Sequence, residues 1–135
     1  MPNWCENNLD VYGKKKLLEK FIRENKDEDT DLSLQKLRPI DGEIDCGTAS
    51  DLWGTKWDVE AGLDGDPEDE WIRYGFDSAW APPIEAIVDG SRKYPKLEFT
   101  LHYREPGMAF AGVLLAKNGK IIKSQELDWN WPSDS

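Results

Sequence analysis

The sequence predicts an α+β fold: one antiparallel sheet with two helices on one face, a long acidic insertion and a C-terminal β-hairpin. Three patterns carry this prediction. "KLEFTLHYR" (96–104) alternates apolar and polar side chains, as a strand with one buried and one wet face must. "KKKLLEKFIREN" (14–25) sets Leu17, Leu18, Phe21 and Ile22 on a single helical stripe. "LLAKNGKII" (114–122) centres on Asn118-Gly119, the preferred two-residue hairpin turn.

The elements follow in order. In residues 4–12, Cys5, Leu9 and Val11 share one parity, with Asn7 the polar exception, and Gly13 breaks the strand. The helix over 14–25 ends at Asn25 and the charged "KDEDTD". "LSLQKLRPI" (32–40) reads as a short strand with Leu32 and Leu34 on one side, limited by Pro39, which has no N–H to donate. From about 38 to 70 the composition is rich in Gly, Asp, Ser and Pro, which is loop chemistry. A loop of that length needs a tether, and Trp53 and Trp57 of "WGTKWD" are the candidates.

Regular structure resumes at "WIRYGFDSAW" (71–80), with Ile72, Tyr74 and Phe76 on one strand face. Pro82 and Pro83 suit the first turn of a helix, whose buried stripe is Ile84, Ile87 and Val88 and whose weak point is Gly90. After Pro95 comes the alternating strand, burying Leu97, Phe99, Leu101 and Tyr103. Glu105-Pro106-Gly107 then turns the chain into the hairpin. The tail is expected to fray, with Trp129 and Trp131 as docking candidates. The order is β-α-(β, loop)-β-α-β plus a hairpin, and the simplest topology for it is the split β-α-β, ferredoxin-like arrangement. A single domain over 1–135, with an acidic loop-rich insertion at about 38–70, accounts for the whole chain.

Charge narrows the function classes. The net charge is −10, and residues 26–70 carry 15 acids and 4 bases while the remaining 90 residues carry 12 acids and 13 bases. The negative excess therefore lies in one middle segment. Its field repels phosphate backbones and attracts basic surfaces, so direct nucleic-acid binding is not expected. No apolar run approaches a membrane span, and the first ten residues lack the pattern of a secretory signal. Cys5 and Cys46 have no CxxC neighbour and the chain holds one histidine, which argues against structural zinc and for a reducing, cytoplasmic setting. Cys5 reads as a buried, reduced thiol.

"MPNWCENNLDVYG", "WGTKWD", "FDSAWAPP" and "YREPGMAFAG", in that order, resemble the YubB-type ferredoxin-like domain family, small proteins of plasmids and phages. The motifs span residues 1 to about 112. The resemblance implies the ferredoxin-like fold and a home on bacterial mobile elements. It implies no activity and no catalytic residues, because the family's function is unknown.

Four places are candidates for chemistry. In WGTKWD the two indoles share a side whether the chain is helical or extended. The plain role is a double anchor for the loop. The functional role has Trp53 and Trp57 flank a planar ligand while Lys56 neutralises an anion, with Trp80 of "FDSAWAPP" completing an aromatic cluster. In the same motif, Asp77 or Ser78 is expected to cap the following helix. A hydrolase would pair His102 with Glu98 or Glu105, but the spacing matches no known triad order or metal motif. "DGDPEDE" gathers Asp64, Asp66, Glu68, Asp69 and Glu70 without calcium-loop spacing, and offers these carboxylates to a basic partner.

The expectation is a non-enzymatic accessory protein of a phage or plasmid, needing no cofactor or metal, whose acidic surface engages a basic host protein, such as a defence or nucleic-acid-handling enzyme. The alternative is a nucleotide-like ligand binder or sponge built on Trp53, Lys56, Trp57 and Trp80. A hydrolase has the fewest residues behind it. An unpaired edge strand would also permit a homodimer.

Overall fold

The computed structural model describes residues 3–107 and 109–127, which leaves Trp129 and Trp131 outside the described residues. Strand β1 (Trp4–Tyr12) is followed by helices α1 (Lys15–Asn25), α2 (Leu34–Leu37) and α3 (Cys46–Trp53). Strands β2 (Ala61–Asp66) and β3 (Trp71–Ala79) flank a short 3-10 turn at Pro67–Asp69. Helix α4 (Ile84–Ser91) leads into β4 (Glu98–Glu105), β5 (Phe110–Lys117) and β6 (Lys120–Leu127). The six strands form one antiparallel sheet in the order β2-β3-β1-β4-β5-β6. The first four strands have the ferredoxin-like order, and the hairpin extends the sheet beyond β4.

The core lies on one face of the sheet. Leu9 sits opposite Tyr74 and Leu101 in register, and Val11 opposite Ile72 and Phe99, all of them buried. Helix α1 covers them with Leu18 and Phe21, and the Phe21 ring meets those of Tyr74, Tyr94 and Phe99. Helix α4 adds Ala86 and Ile87. Asn7, the polar residue on this face, is buried and satisfied: its amide donates to Ser78 Oγ at 2.9 Å and to the Cys5 carbonyl at 3.0 Å. Gly90, a weak helix former, is explained by close packing. A Cβ there would stand 2.4 Å from Leu37 Cγ, so α2 and α4 touch only because the side chain is missing.

The stretch read as a loop-rich insertion at about 38–70 is instead part of the body. Residues 32–40 do not form a strand. Leu34 and Leu37 are both buried from a short helix, and Ser33 caps it by accepting the Lys36 N–H. Residues 46–53, read as loop, are helix α3, capped by Asp45, whose carboxylate accepts the Thr48 N–H at 2.7 Å. The second strand of the fold is Ala61–Asp66, inside the acidic segment. It escapes a period-2 reading because it is an edge strand on which Ala61 alone is buried.

WGTKWD splits between core and surface. Trp53 is the last residue of α3 and is 1% exposed, with Nε1 donating to the Arg38 carbonyl at 2.8 Å. Gly54 then takes φ 88, the left-handed conformation that ends a helix and that glycine adopts without strain. The chain reverses, and Trp57 emerges 41% exposed. The expectation that the two indoles act on one side is therefore corrected: Trp53 is a core anchor and Trp57 is not. Trp53→Ala is expected to cost about 3–5 kcal/mol in chemical denaturation. Trp57→Ala is expected to cost about 1 kcal/mol or less. Similar losses for the two would contradict this division.

Candidate functional site

Each residue of the hexapeptide after Gly54 has a separate task. Thr55 is buried, and its Oγ1 donates to the Ala79 carbonyl at 2.8 Å, which fastens the segment to the end of β3. Lys56 turns to Trp80, its ammonium 5.0 Å from the ring centroid. Trp57 meets Trp4 of β1 edge to face, with centroids 6.1 Å apart and planes at 70°. Asp58 caps α2 from outside the helix: its carboxylate accepts the Leu34 N–H at 2.7 Å, the Gln35 N–H at 3.3 Å and the Ser33 hydroxyl at 3.0 Å. The hexapeptide is thus a clip joining the core, the sheet end and a helix.

Trp57 projects to the sheet face that carries no helices. Because paired antiparallel residues share a face, the register assigns Trp4, Glu6, Asn8 and Asp10 of β1 to it. Trp71, Arg73, Gly75 and Asp77 of β3, and Asp64 and Asp66 of β2, lie there too. Two of these carboxylates are paired with a base. Asp10, buried to 2% exposure, accepts from Arg73 Nε at 2.7 Å and from Trp71 Nε1 at 3.0 Å. Glu6 accepts from Arg104 at 2.8 Å. Two hollows open where these strands end. One of about 740 Å³ lies over Glu6, Asn8, Gly75 and Arg104. The other, of about 400 Å³, lies against Trp57 and Val59. Both are lined by Trp4, Glu60 and Asp77. Among the described residues neither Glu60 nor Asp77 has a basic partner. Although Asp77 is exposed, partial desolvation at its carboxyl raises it above its ordinary value, and nearby Glu6 raises it further.

The sequence-derived site residues are only partly brought together. Trp53 leaves for the core, Lys56 and Trp80 pair with each other, and Trp57 faces Trp4. Trp4, Glu60 and Asp77 were missed as members of the site. Trp4 had a legible signal: it is an exposed tryptophan of the parity opposite Cys5, Leu9 and Val11. Asp77 and Ser78 do not cap the following helix; both lie in β3, and Pro83 stands at the N-cap of α4. Within the acidic run, Glu68 pairs with Lys15, and Glu70 with Lys14 at 3.8 Å. Asp66 accepts the Glu68 N–H and Asp64 the Gly65 N–H, while Asp69 is exposed in the 3-10 turn.

The hydrolase residues are separated. Glu105 is fully buried on the core face, whereas His102 has the parity of the open face. Glu98 shares that face but lies four residues along the strand, about 13 Å away, and pairs with Lys117 at 3.9 Å. The Cys5 thiol is buried and pushed up to about 12, chiefly by desolvation. Among the described residues no group of three or more His, Cys, Asp or Glu side chains is arranged to hold a metal ion. No helix among them is long and apolar enough to cross a membrane.

A protein-family model described as "ferredoxin-like domain in Api92-like protein" matches residues 52–133, more than half of the chain. The chain belongs to this family. The match begins beside the WGTKWD clip of this Api92-like domain and runs through β2, β3, α4 and the hairpin. Among solved structures, the crystal structure of protein Api92 from Yersinia pseudotuberculosis is similar at 24% identity with a TM-score of 0.53. That match covers 61% of this chain and 29% of the Yersinia chain, and it shows the fold. No curated protein matches.

The Asp77 environment has a pH signature. A carboxyl raised in the folded state penalises folding while it is ionised, and the penalty fades as pH falls through the folded-state value. Asp77→Asn is therefore expected to raise the thermal midpoint at about pH 7 and to leave it unchanged near pH 3, below the carboxylate range. Calorimetry at the two pH values checks this, and a lower midpoint at about pH 7 would contradict it.

Proposed function

We propose that this Api92-like domain is a non-enzymatic binding module that engages a positively charged surface of a partner protein through the open face of its sheet. The observation that carries this reading is the excess of carboxylates there. Glu60 and Asp77 have no basic partner among the described residues and lie beside two exposed indoles, while Asp64 and Asp66 add charge that Arg73 and Lys15 offset without a direct salt bridge. Carboxylates beside low-dielectric rings focus a negative field outward and steer a basic partner onto them. The YubB-type resemblance adds the setting, an accessory protein of a phage or plasmid acting on a host protein in the bacterial cytoplasm.

A nucleotide-like ligand has less support. Its proposed walls, Trp53 and Trp57, point to opposite environments, and Lys56 is engaged with Trp80. The carboxylates next to Trp57 would repel a phosphate.

The test is capture from a bacterial host lysate at low and high salt. The wild-type chain is expected to retain a basic protein at low salt and release it as ionic strength rises. Neutralising Glu60, Asp64, Asp66 and Asp77 together is expected to abolish retention. Neutralising Glu68, Asp69 and Glu70 is expected to weaken it less, because Lys14 and Lys15 already offset two of those charges. Retention unchanged by the first set, or insensitive to salt, would contradict the reading.

A further inference from the structure

Among the described residues, the indoles on or beside the open face have a cation over the ring except two. The Arg73 guanidinium lies 5.6 Å from the Trp71 ring centroid, and the Lys56 ammonium 5.0 Å from that of Trp80. Among the described residues Trp4 and Trp57 meet each other and no cation, although they are 43% and 41% exposed. Their planes, at 70°, make two walls of a corner. Glu60 and Asp77 border the same hollow without a basic partner. The corner thus has aromatic faces and negative charge; Arg104 borders the adjoining larger hollow but is paired with Glu6, and among the described residues no cation stands over either ring.

The floor beside it is bare. Gly62 and Gly75 are paired across β2 and β3 on this face. Glycine inside a strand weakens it and often marks a close approach by another chain. Among the described residues nothing demands either glycine: a Cβ at Gly62 would meet nothing within 4 Å, and one at Gly75 would stand 3.6 Å from its nearest neighbour, Asn8 Oδ1. The two leave a strip where an incoming backbone can lie flat beside the corner.

We infer that the corner of Trp4 and Trp57 receives a single arginine side chain from an extended segment of the partner, with the guanidinium against an indole and paired to Asp77 and Glu60. This rests on the reading of a basic protein partner and names the group that is recognised. Arginine fits better than lysine. Its planar cation stacks on an aromatic face and presents a fork of donors to carboxylates, whereas an ammonium is a compact, strongly hydrated point charge. The raised Asp77 carboxyl accords with this, since an arriving cation relieves a charge that partial desolvation and Glu6 now oppose.

The test uses the full chain and three short capped peptides that differ at one position: arginine, lysine or citrulline, the uncharged analogue of arginine. Tryptophan indole N–H signals are followed by NMR during titration. The arginine peptide is expected to move the Trp4 and Trp57 signals. Lysine is expected to bind more weakly and citrulline not at all. Trp57→Ala and Asp77→Asn are each expected to weaken the arginine peptide about tenfold or more, a loss typical of a central interface residue. Glu19→Gln, on α1 behind the sheet, is expected to leave it unchanged. Trp57 is half-exposed and Asp77→Asn is nearly isosteric, so both variants keep the fold, and unchanged dispersion of the remaining signals verifies this. Arginine binding that ignores both substitutions, or that lysine or citrulline matches, would overturn the arginine corner while leaving a basic partner in place. Failure of both the arginine and the lysine peptide to bind would overturn the corner and the broader reading together.

Discussion

The left-handed backbone at Gly54 is the constraint on which the rest of this molecule depends. Helix α3 drives Trp53 into the core, and a chain that continued as helix would carry Trp57 to the same side. The reversal at Gly54 instead sends Thr55 to the Ala79 carbonyl, Trp57 to Trp4 and Asp58 to the start of α2. Two features reserve the position for glycine. Its φ of 88 costs an L-residue roughly 1–2 kcal/mol. A Cβ there would also stand 2.7 Å from Glu85 Oε1 and 3.1 Å from the Pro82 carbonyl. The turn is wedged against the start of α4, so the clip and that helix are set by one contact.

From that turn follows the division of the sheet into two chemistries. The helix-covered face is filled mainly with aliphatic and aromatic side chains, and Asn7, a polar residue buried within it, is satisfied by its neighbours. The open face is a lattice of compensated charges: Asp10 with Arg73, Glu6 with Arg104, Glu98 with Lys117. Against that background the carboxylates beside Trp4 and Trp57 stand out because no base among the described residues balances them. An unbalanced charge at the mouth of a hollow is a more specific feature than net charge alone.

How much of this was legible in the sequence follows from where burial leaves a period. Strands β1, β3 and β4 each bury one face and expose the other, and α1 and α4 each bury a stripe, so they could be read directly. The hairpin was legible because Asn118 and Gly119 both take positive φ, as its turn requires. Strand β2 was not, since an edge strand with one buried residue has no alternation to detect. Helix α3 was hidden by its shortness and its Gly, Thr and Ser, although its Asp45 cap was visible in sequence. The same limit governed the site. A spacing of four in WGTKWD places two indoles together only if the backbone between them is regular, and glycine at the second position removes that premise. Trp4 could not be joined to Trp57 without the register of β1 and β3 and the bond from Thr55 to Ala79.

The most direct measurement is Gly54→Ala, read by chemical denaturation together with the exciton-coupled circular dichroism of the Trp4–Trp57 pair. If the left-handed turn organises both core and site, stability falls by at least the roughly 1–2 kcal/mol of the backbone conformation, and the indole couplet is lost from the folded state. A variant with wild-type stability and an intact couplet would show that neither the core anchor nor the aromatic corner depends on this turn.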